Sequence, residues 1–222
     1  MDRVRTPEVN DMDDTEYARA RRDLVADLRR RLDVSETVLS AIEAVPRHAF
    51  VPEPQRQNAY EDRPLPIGHD QTISAPHMVA IMTDLLDLGP GDRVFEVGTG
   101  CGYHAAVLAE IVGPGNVFTA EYVPKLAEAA RDRLDRLGYD VTVYAGDARE
   151  AFREEPPFAA ASVTCAPDGD VPESIVDRVE IGGRIVAPVG DETGRQRLVR
   201  LTVRDDGIER EDHGGVRFVP MR

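Results

Sequence analysis

The sequence predicts an α/β fold built on a doubly wound, mostly parallel sheet with an antiparallel C-terminal edge and extra N-terminal helices. Three observations carry that reading. From Arg93 onward, short apolar runs alternate with helix-length amphipathic stretches, the pattern of successive βαβ units. The first of these runs ends in the glycine-rich turn Glu96-Val97-Gly98-Thr99-Gly100-Cys101-Gly102, where missing Cβ atoms let a ligand approach the backbone. Acids also mark three successive strand ends, at Glu96, Glu121 and Asp147.

In order along the chain, residues 1–16 read as a polar, acidic arm. Residues 17–32 place Leu24, Leu28 and Leu32 at i, i+4 and i+8 with Val25 alongside, which is one helical face. Asp33 and Glu36 resemble a cap before a second short helix carrying Val38, Leu39, Ile42 and Val45, and Pro46 ends it. Residues 46–74, rich in proline, glycine and aspartate, read as an irregular segment of a length that is often functional. Helical spacing returns over 76–88 with Met78, Ile81, Met82, Leu85 and Leu86, and Gly89-Pro90-Gly91-Asp92 turns into the sheet. Strands are expected at 93–97, 116–121, 141–145, 159–165 and 184–189, and helices at 103–112, 124–137 and 172–180. Two further strand patterns, near 197–204 and 216–219, are joined through turns such as Asp206-Gly207 and should form the antiparallel edge. With no internal repeat and no low-complexity linker, one domain over 1–222 is expected. It divides into an N-terminal arm and helix (1–33), a proline-rich segment (34–90) and the sheet-forming part (91–222).

Composition narrows the function. A formal charge of −14 argues against nucleic acid as partner. No window of about 18 apolar residues suggests a membrane span, and Met1 to Arg5 lead into acidic sequence instead of an apolar signal core. Cys101 and Cys165 form no C-x-x-C pair, and the five histidines show no ligand spacing, so neither a metal site nor a disulfide framework is expected. A cytoplasmic protein is the expectation. Lys125 is the single lysine among many arginines and acids, a composition that fits a salty cytoplasm or simply an acidic protein.

The glycine turn is not a dinucleotide fingerprint, because G-x-G-x-x-G would need glycine where Tyr103 stands. Its E-x-G-x-G-x-G form resembles the first motif of class I methyltransferases, which bind S-adenosylmethionine. On that reading Gly98, Thr99, Gly100 and Gly102 form the floor beyond the first strand. Glu121, about 20 residues further on, suits a ribose diol, and Asp147 with Ala148 suits an adenine amino group. Glu96 would orient backbone amides or offset the ligand's positive groups. Helix capping and turn formation are equally ordinary uses of Glu121 and Asp147.

A second constellation is longer. Val45-Pro46-Arg47-His48-Ala49-Phe50-Val51-Pro52 is followed by Ala59-Tyr60-Glu61-Asp62-Arg63-Pro64-Leu65-Pro66-Ile67-Gly68, then by Gln71-Thr72-Ile73-Ser74-Ala75-Pro76-His77-Met78. Together with Gly215-Val216-Arg217-Phe218-Val219-Pro220, these segments closely resemble protein-L-isoaspartate O-methyltransferases. The resemblance implies a Rossmann-like class I methyltransferase fold. It implies transfer of a methyl group from S-adenosylmethionine to the α-carboxylate of isoaspartyl residues in damaged peptides and proteins, with S-adenosylhomocysteine as product and a monomer as the working form. Carried over by motif, Ser74 is the active-site residue, and Thr72, Ile73 and His77 lie in the segment covering cofactor and acceptor. His77 would hold the carboxylate of the methionine moiety. Residues 34–90 become the acceptor side. Ser74 before Ala75-Pro76 also suits a helix N-cap; His77 can equally be a surface residue, and Tyr103 and His104 suit packing. The likeness weakens after Asp147. Ala148 replaces the usual glycine, Pro157-Phe158-Ala159 replaces a Tyr-Asp start, and Asp168-Gly169-Asp170 adds acid near the expected acceptor path. A methyltransferase with another acceptor, or a cofactor-binding paralogue without turnover, are the competing readings. Retention of the whole Thr72–His77 segment favours catalysis.

Overall fold

The computed structural model describes residues 12–190 and 195–222, so most of the predicted N-terminal arm lies outside the described residues. Nine strands and six α-helices follow in chain order among the described residues. Helix α1 (Asp14–Arg31) starts inside what the sequence suggested was arm, because Asp13 and Glu16 form a reciprocal capping box. Helix α2 (Glu36–Ala44) is capped by Ser35, whose hydroxyl accepts from Val38 N at 3.4 Å, and not by Asp33. The expected irregular stretch 46–74 holds more order than its composition suggested. Two 3-10 turns, Arg47–Phe50 and Glu53–Asn58, precede a small antiparallel hairpin, β1 (Leu65–Gly68) and β2 (Gln71–Ile73). Its tip places Gly68, His69 and Asp70 at positive φ. Helix α3 (Pro76–Leu86) follows at once, with proline at its first position where no N–H is needed.

The main sheet then assembles from β3 (Val94–Val97), β4 (Val117–Glu121), β5 (Val141–Ala145), β6 (Phe158–Val163), β7 (Val179–Gly190), β8 (Gln196–Arg204) and β9 (Gly207–Val216). The spatial order is β5-β4-β3-β6-β7-β8-β9. Strands β3 to β7 are parallel, and β8 and β9 add an antiparallel meander. Helices α4 (Tyr103–Val112) and α5 (Pro124–Leu137) make the crossovers. Alternate strand residues serve two cores. Val94, Val117, Ala160 and Val186 pack with α1 to α4, whereas Phe95, Phe118, Ala161 and Ile185 pack on the opposite face with Phe158 and Ile175.

Two elements depart from the sequence expectation. The helix expected at 172–180 is reduced to α6 (Glu173–Val176), and the chain enters β7 at Val179. The cause is Gly182-Gly183. Gly182 sits at φ +88°, and a Cβ on Gly183 would lie 2.5 Å from Val179 Cγ1, so the strand bulges there and begins early. The closing strand is 207–216, not 216–219, because Asp205 and Asp206 form a two-residue turn that pairs Arg204 with Gly207. Residues beyond Val216 instead run back over the sheet, where Ala166 N donates to Val219 O and Met221 N donates to Ala166 O.

Strand order reverses at β3, with β4 on one side and β6 on the other. In such sheets that reversal opens a crevice beyond the carboxyl ends of the strands.

Candidate functional site

The crevice is built where the glycine turn leaves β3. Gly98 sits at φ +96°, Gly100 at +55° and Gly102 at +90°. A Cβ on Gly98 would lie 2.5 Å from Thr164 Oγ1, so glycine here makes room for the end of β6 as well as for a ligand. Thr164 in turn holds the loop, its hydroxyl lying 3.0 Å from Val97 O and 2.7 Å from Gly98 O. Gly102 has a different task. It caps α4, and its bare Cα faces Leu134 of α5, where an added Cβ would lie only 3.2 Å from the leucine side chain. It lines none of the three cavities around the crevice.

Those cavities meet along the Ser74-bearing strap. The first, about 630 Å³ and partly open to solvent, is bounded by Gly98, Gly100, Glu121, Asp147, Ala148 and Thr72. The second, about 360 Å³, holds Ile73, Ser74, Thr99, Tyr103 and His104. The third, about 710 Å³, lies between Ser74, His77 and Met78 on one side and Gly215 to Val219 on the other. Thr72 and Thr164 border all three, and Ser74 stands between the second and third.

The acids take distinct positions. Glu121 accepts from Gly100 N at 2.8 Å and from Val123 N at 2.9 Å, so it is this carboxylate that orients the glycine loop. Asp147 accepts from Arg149 N and is chelated by the Arg149 guanidinium, whose hydrogen bonds hold its carboxyl below the usual range. Glu96, expected to orient loop amides or offset ligand charge, accepts from Thr119 and from no loop amide among the described residues. It is fully buried beneath α4 and lines none of these cavities. Thr119 Oγ1 donates to Glu96 Oε2 at 2.6 Å, and Thr99 Oγ1 lies 2.7 Å from Thr119 Oγ1. Burial pushes the Glu96 carboxyl up to about 8, against the lowering effect of the Thr119 bond. Burial also pushes the neighbouring His104 imidazole down to about 4. The 3.5 Å contact between Glu96 Oε1 and His104 Nδ1 is therefore one between neutral groups at neutral pH, not an ion pair.

On the strap, Ser74 does not cap α3. Ala75 occupies the N-cap position, and the helix-start N–H of His77 goes to Asp62 instead of to Ser74, so the half-buried Ser74 hydroxyl keeps its hydrogen-bonding capacity. His77 lies away from the first cavity. Its N and Nδ1 both donate to Asp62 Oδ1 at 2.9 Å, which leaves the ring at the edge of the third cavity. Asp62 Oδ2 also accepts from Arg31 Nη2 at the end of α1. Tyr103 and His104 pack, as their apolar neighbours suggested, with Tyr103 only 2% exposed and His104 Nε2 3.0 Å from Thr83 Oγ1. Sequence reasoning overlooked Thr164, Gln71 and Tyr122. Thr164 was findable from its place at the end of the strand next to the reversal; Gln71 and Tyr122 adjoin residues that were named, and nothing in their own identity singled them out.

Fit to S-adenosylmethionine follows from this geometry. Left-handed glycines leave an open floor, an acid closes the end of the neighbouring strand, and Tyr103 stands where a dinucleotide fingerprint needs glycine. A sheet of this topology with such a crevice is that of a class I S-adenosylmethionine-dependent methyltransferase. Comparison narrows the class. The family model described as Protein-L-isoaspartate(D-aspartate) O-methyltransferase matches residues 19–222, and the chain belongs to that family. With membership come the enzyme class, a carboxyl methyltransferase, and its methyl donor. Protein-L-isoaspartate O-methyltransferase 2 of Archaeoglobus fulgidus is 50% identical over 93% of this chain and 94% of its own length. The Methanopyrus kandleri protein-L-isoaspartate O-methyltransferase is 49% identical over 94% of both. Among solved structures, one protein-L-isoaspartate O-methyltransferase superposes with a TM-score of 0.83 at 29% identity, covering 90% of this chain, which spans 65% of that one. A Plasmodium falciparum relative, solved with S-adenosyl-L-homocysteine, gives a TM-score of 0.78 at 26% identity over 91% of this chain and 98% of its own.

Proposed function

We propose that Ser74 positions the α-carboxylate of an L-isoaspartyl residue for methylation, in the repair reaction of the family. The observation that carries this is the Ser74 hydroxyl, uncommitted to capping and standing where the second cavity opens into the third. S-adenosylmethionine, when bound, supplies an electrophilic methyl group with its leaving group already in place. The chain's own work is placement and exclusion of water, since a carboxylate needs no base to become a nucleophile. Gly98, Thr99 and Gly100 would give the floor under the methionine portion. Glu121 would hold the ribose, and Asp147 with Ala148 the base. Gly102 would support that floor from below, and Glu96 would stiffen it through Thr119 and Thr99. Thr72 and Ile73 would close the strap over the crevice. His77, fixed by Asp62, would border the acceptor.

The acidic stretch 168–170 lines none of these cavities, and Asp170 is bound by Arg210 at 2.6 Å. That favours the isoaspartyl acceptor over an altered one. We also read the chain as a single domain, acting as a cytoplasmic monomer on peptides and proteins, with no nucleic-acid or membrane partner and no metal. The charge of −14 supports the exclusion of nucleic acid. None of the described helices is long and apolar enough to cross a membrane. The acid-rich, lysine-poor composition supports work in a salty cytoplasm.

The test is methyl transfer to an isoaspartyl peptide beside its normal aspartyl twin. Base-labile label should appear on the isoaspartyl peptide alone. Ser74→Ala should lower kcat about 10- to 100-fold, as loss of one positioning hydrogen bond does, while leaving S-adenosylhomocysteine affinity within about 2-fold. Equal loss of both would mean that Ser74 only holds the strap.

A further inference from the structure

Arg217 stands apart from Arg197, Arg204 and Arg210 of the C-terminal hairpin. Those are paired with acids: Arg197 with Asp212, Arg204 with Glu209 and Arg210 with Asp170, all at 2.6–2.7 Å. Arg217 has no hydrogen-bond or ion-pair partner among the described residues. It lines the third cavity, opposite Ser74 and His77.

Among the described residues, the lining of that cavity contains no carboxylate at all, although acids outnumber Lys and Arg 41 to 27 in the chain. The first cavity has Glu121 and Asp147 among its walls, against one basic residue, Arg222. The two compartments thus differ in sign. A ligand with sulfonium and ammonium charges suits the acidic one, and an anion suits the other. His77 does not compete for that anion through Nδ1, which is already held by Asp62.

We propose that Arg217 is a specificity-determining residue that selects the ionised form of the acceptor, its guanidinium holding one oxygen of the carboxylate or approaching both. The proposal rests on the third cavity being the acceptor side. It also accounts for release. When one carboxylate oxygen forms its bond to the methyl carbon, the S–C bond breaks and its electron pair stays on sulfur. The anion becomes a neutral ester and the sulfonium a neutral thioether. Arg217 then faces an uncharged product, so its hold weakens as the product must leave.

The test crosses the protein's charge with the ligand's. The probes are an isoaspartyl peptide with a free α-carboxylate and the same peptide with an α-carboxamide. Binding of each to the enzyme saturated with S-adenosylhomocysteine is measured by calorimetry for wild type, Arg217→Ala and Arg217→Lys. Wild type should prefer the acid by about 10-fold or more, the worth of one charge-assisted contact. Arg217→Ala should bring the ratio near one, Arg217→Lys should keep part of it, and S-adenosylhomocysteine affinity should not change. A preference that survives in Arg217→Ala overturns the proposal while leaving the acceptor reading intact. A wild type with no preference and no methyl ester formed overturns both.

Discussion

Replacing Asp62 by alanine tests how the acceptor strap is held. One carboxylate joins three parts of the chain. Oδ1 accepts from His77 N and Nδ1 at 2.9 Å, and Oδ2 accepts from Arg31 Nη2 at 2.5 Å. The Asp62 side chain is 17% exposed, against 46% for Arg31. The half-exposed pair with Arg31 is screened by solvent and adds little to stability. The bonds to His77, better shielded, add about 1–3 kcal/mol. A loss of about 1–3 kcal/mol in a chain of this length lowers Tm by roughly 2–12 °C. The effect on activity is larger than that on folding, because Ser74 lies on the strap just before His77, and a shift of about 1 Å costs on the order of 100-fold in rate. Cofactor affinity should hold, since Asp62 lines no part of the first cavity. The pH dependence has a defined sign. Burial alone would raise the Asp62 carboxyl, but the bonds from Arg31 and His77 outweigh it and hold it below its ordinary value. Its stabilisation is thus full above the unfolded carboxylate pKa and fades as pH falls through the lower folded value. The gap in Tm between wild type and Asp62→Ala should close on acidification below about pH 4. Thermal melts from pH 3 to 8, with kcat and KM for an isoaspartyl peptide, read all of this. An unchanged Tm together with unchanged kcat/KM at pH 7 would refute the reasoning, as would a loss of cofactor affinity matching the loss of rate.

Glu96→Gln should stabilise the protein at pH 8 and do little at pH 4.5. The folded carboxyl titrates at about 8 and the ordinary value is 4.5, so the folded state keeps a proton that the unfolded state releases, and wild-type stability falls as pH rises between them. A gain of about 1 kcal/mol or more, read as at least 2–4 °C in Tm at pH 8, is expected; a difference independent of pH would show that Glu96 is ionised when folded. Turnover should rise with salt over a wide range. An anionic acceptor must approach a chain of charge −14, and the screening length shrinks from about 10 Å at 0.1 M to about 3 Å at 1 M. A maximum at low ionic strength, with circular dichroism showing an intact fold there, would remove the halophilic reading.

The sheet was legible because its signals are local. Short apolar runs such as Val94–Val97 and glycine turns such as 98–102 depend on neighbours in sequence. So were Glu121 and Asp147 of the first cavity, which sit at strand ends that the alternation locates. What escaped reading depends on tertiary contact. Glu96 looks like a ligand-facing acid until Thr119 and His104 close around it. His77 is legible as a strap residue, but its partner Asp62, 15 residues earlier, is not. The hairpin β1–β2 hid within a proline-rich stretch because its strands are four and three residues long, too short for periodicity to register. The shortening of α6 turned on the Gly182-Gly183 bulge, whose need is set by Val179 and by the Ala159 carbonyl on β6.

The acceptor cleft has walls drawn from residues 64–78 and 215–219, far apart along the polypeptide. Closing so long a loop costs little more free energy than closing a short one, since the entropy grows only with the logarithm of length. The floor beneath β3, by contrast, is made within a few residues. Thr72 and Val219 of those walls also border the first cavity, so proteolytic nicking within either wall would disturb methyl transfer and cofactor binding together.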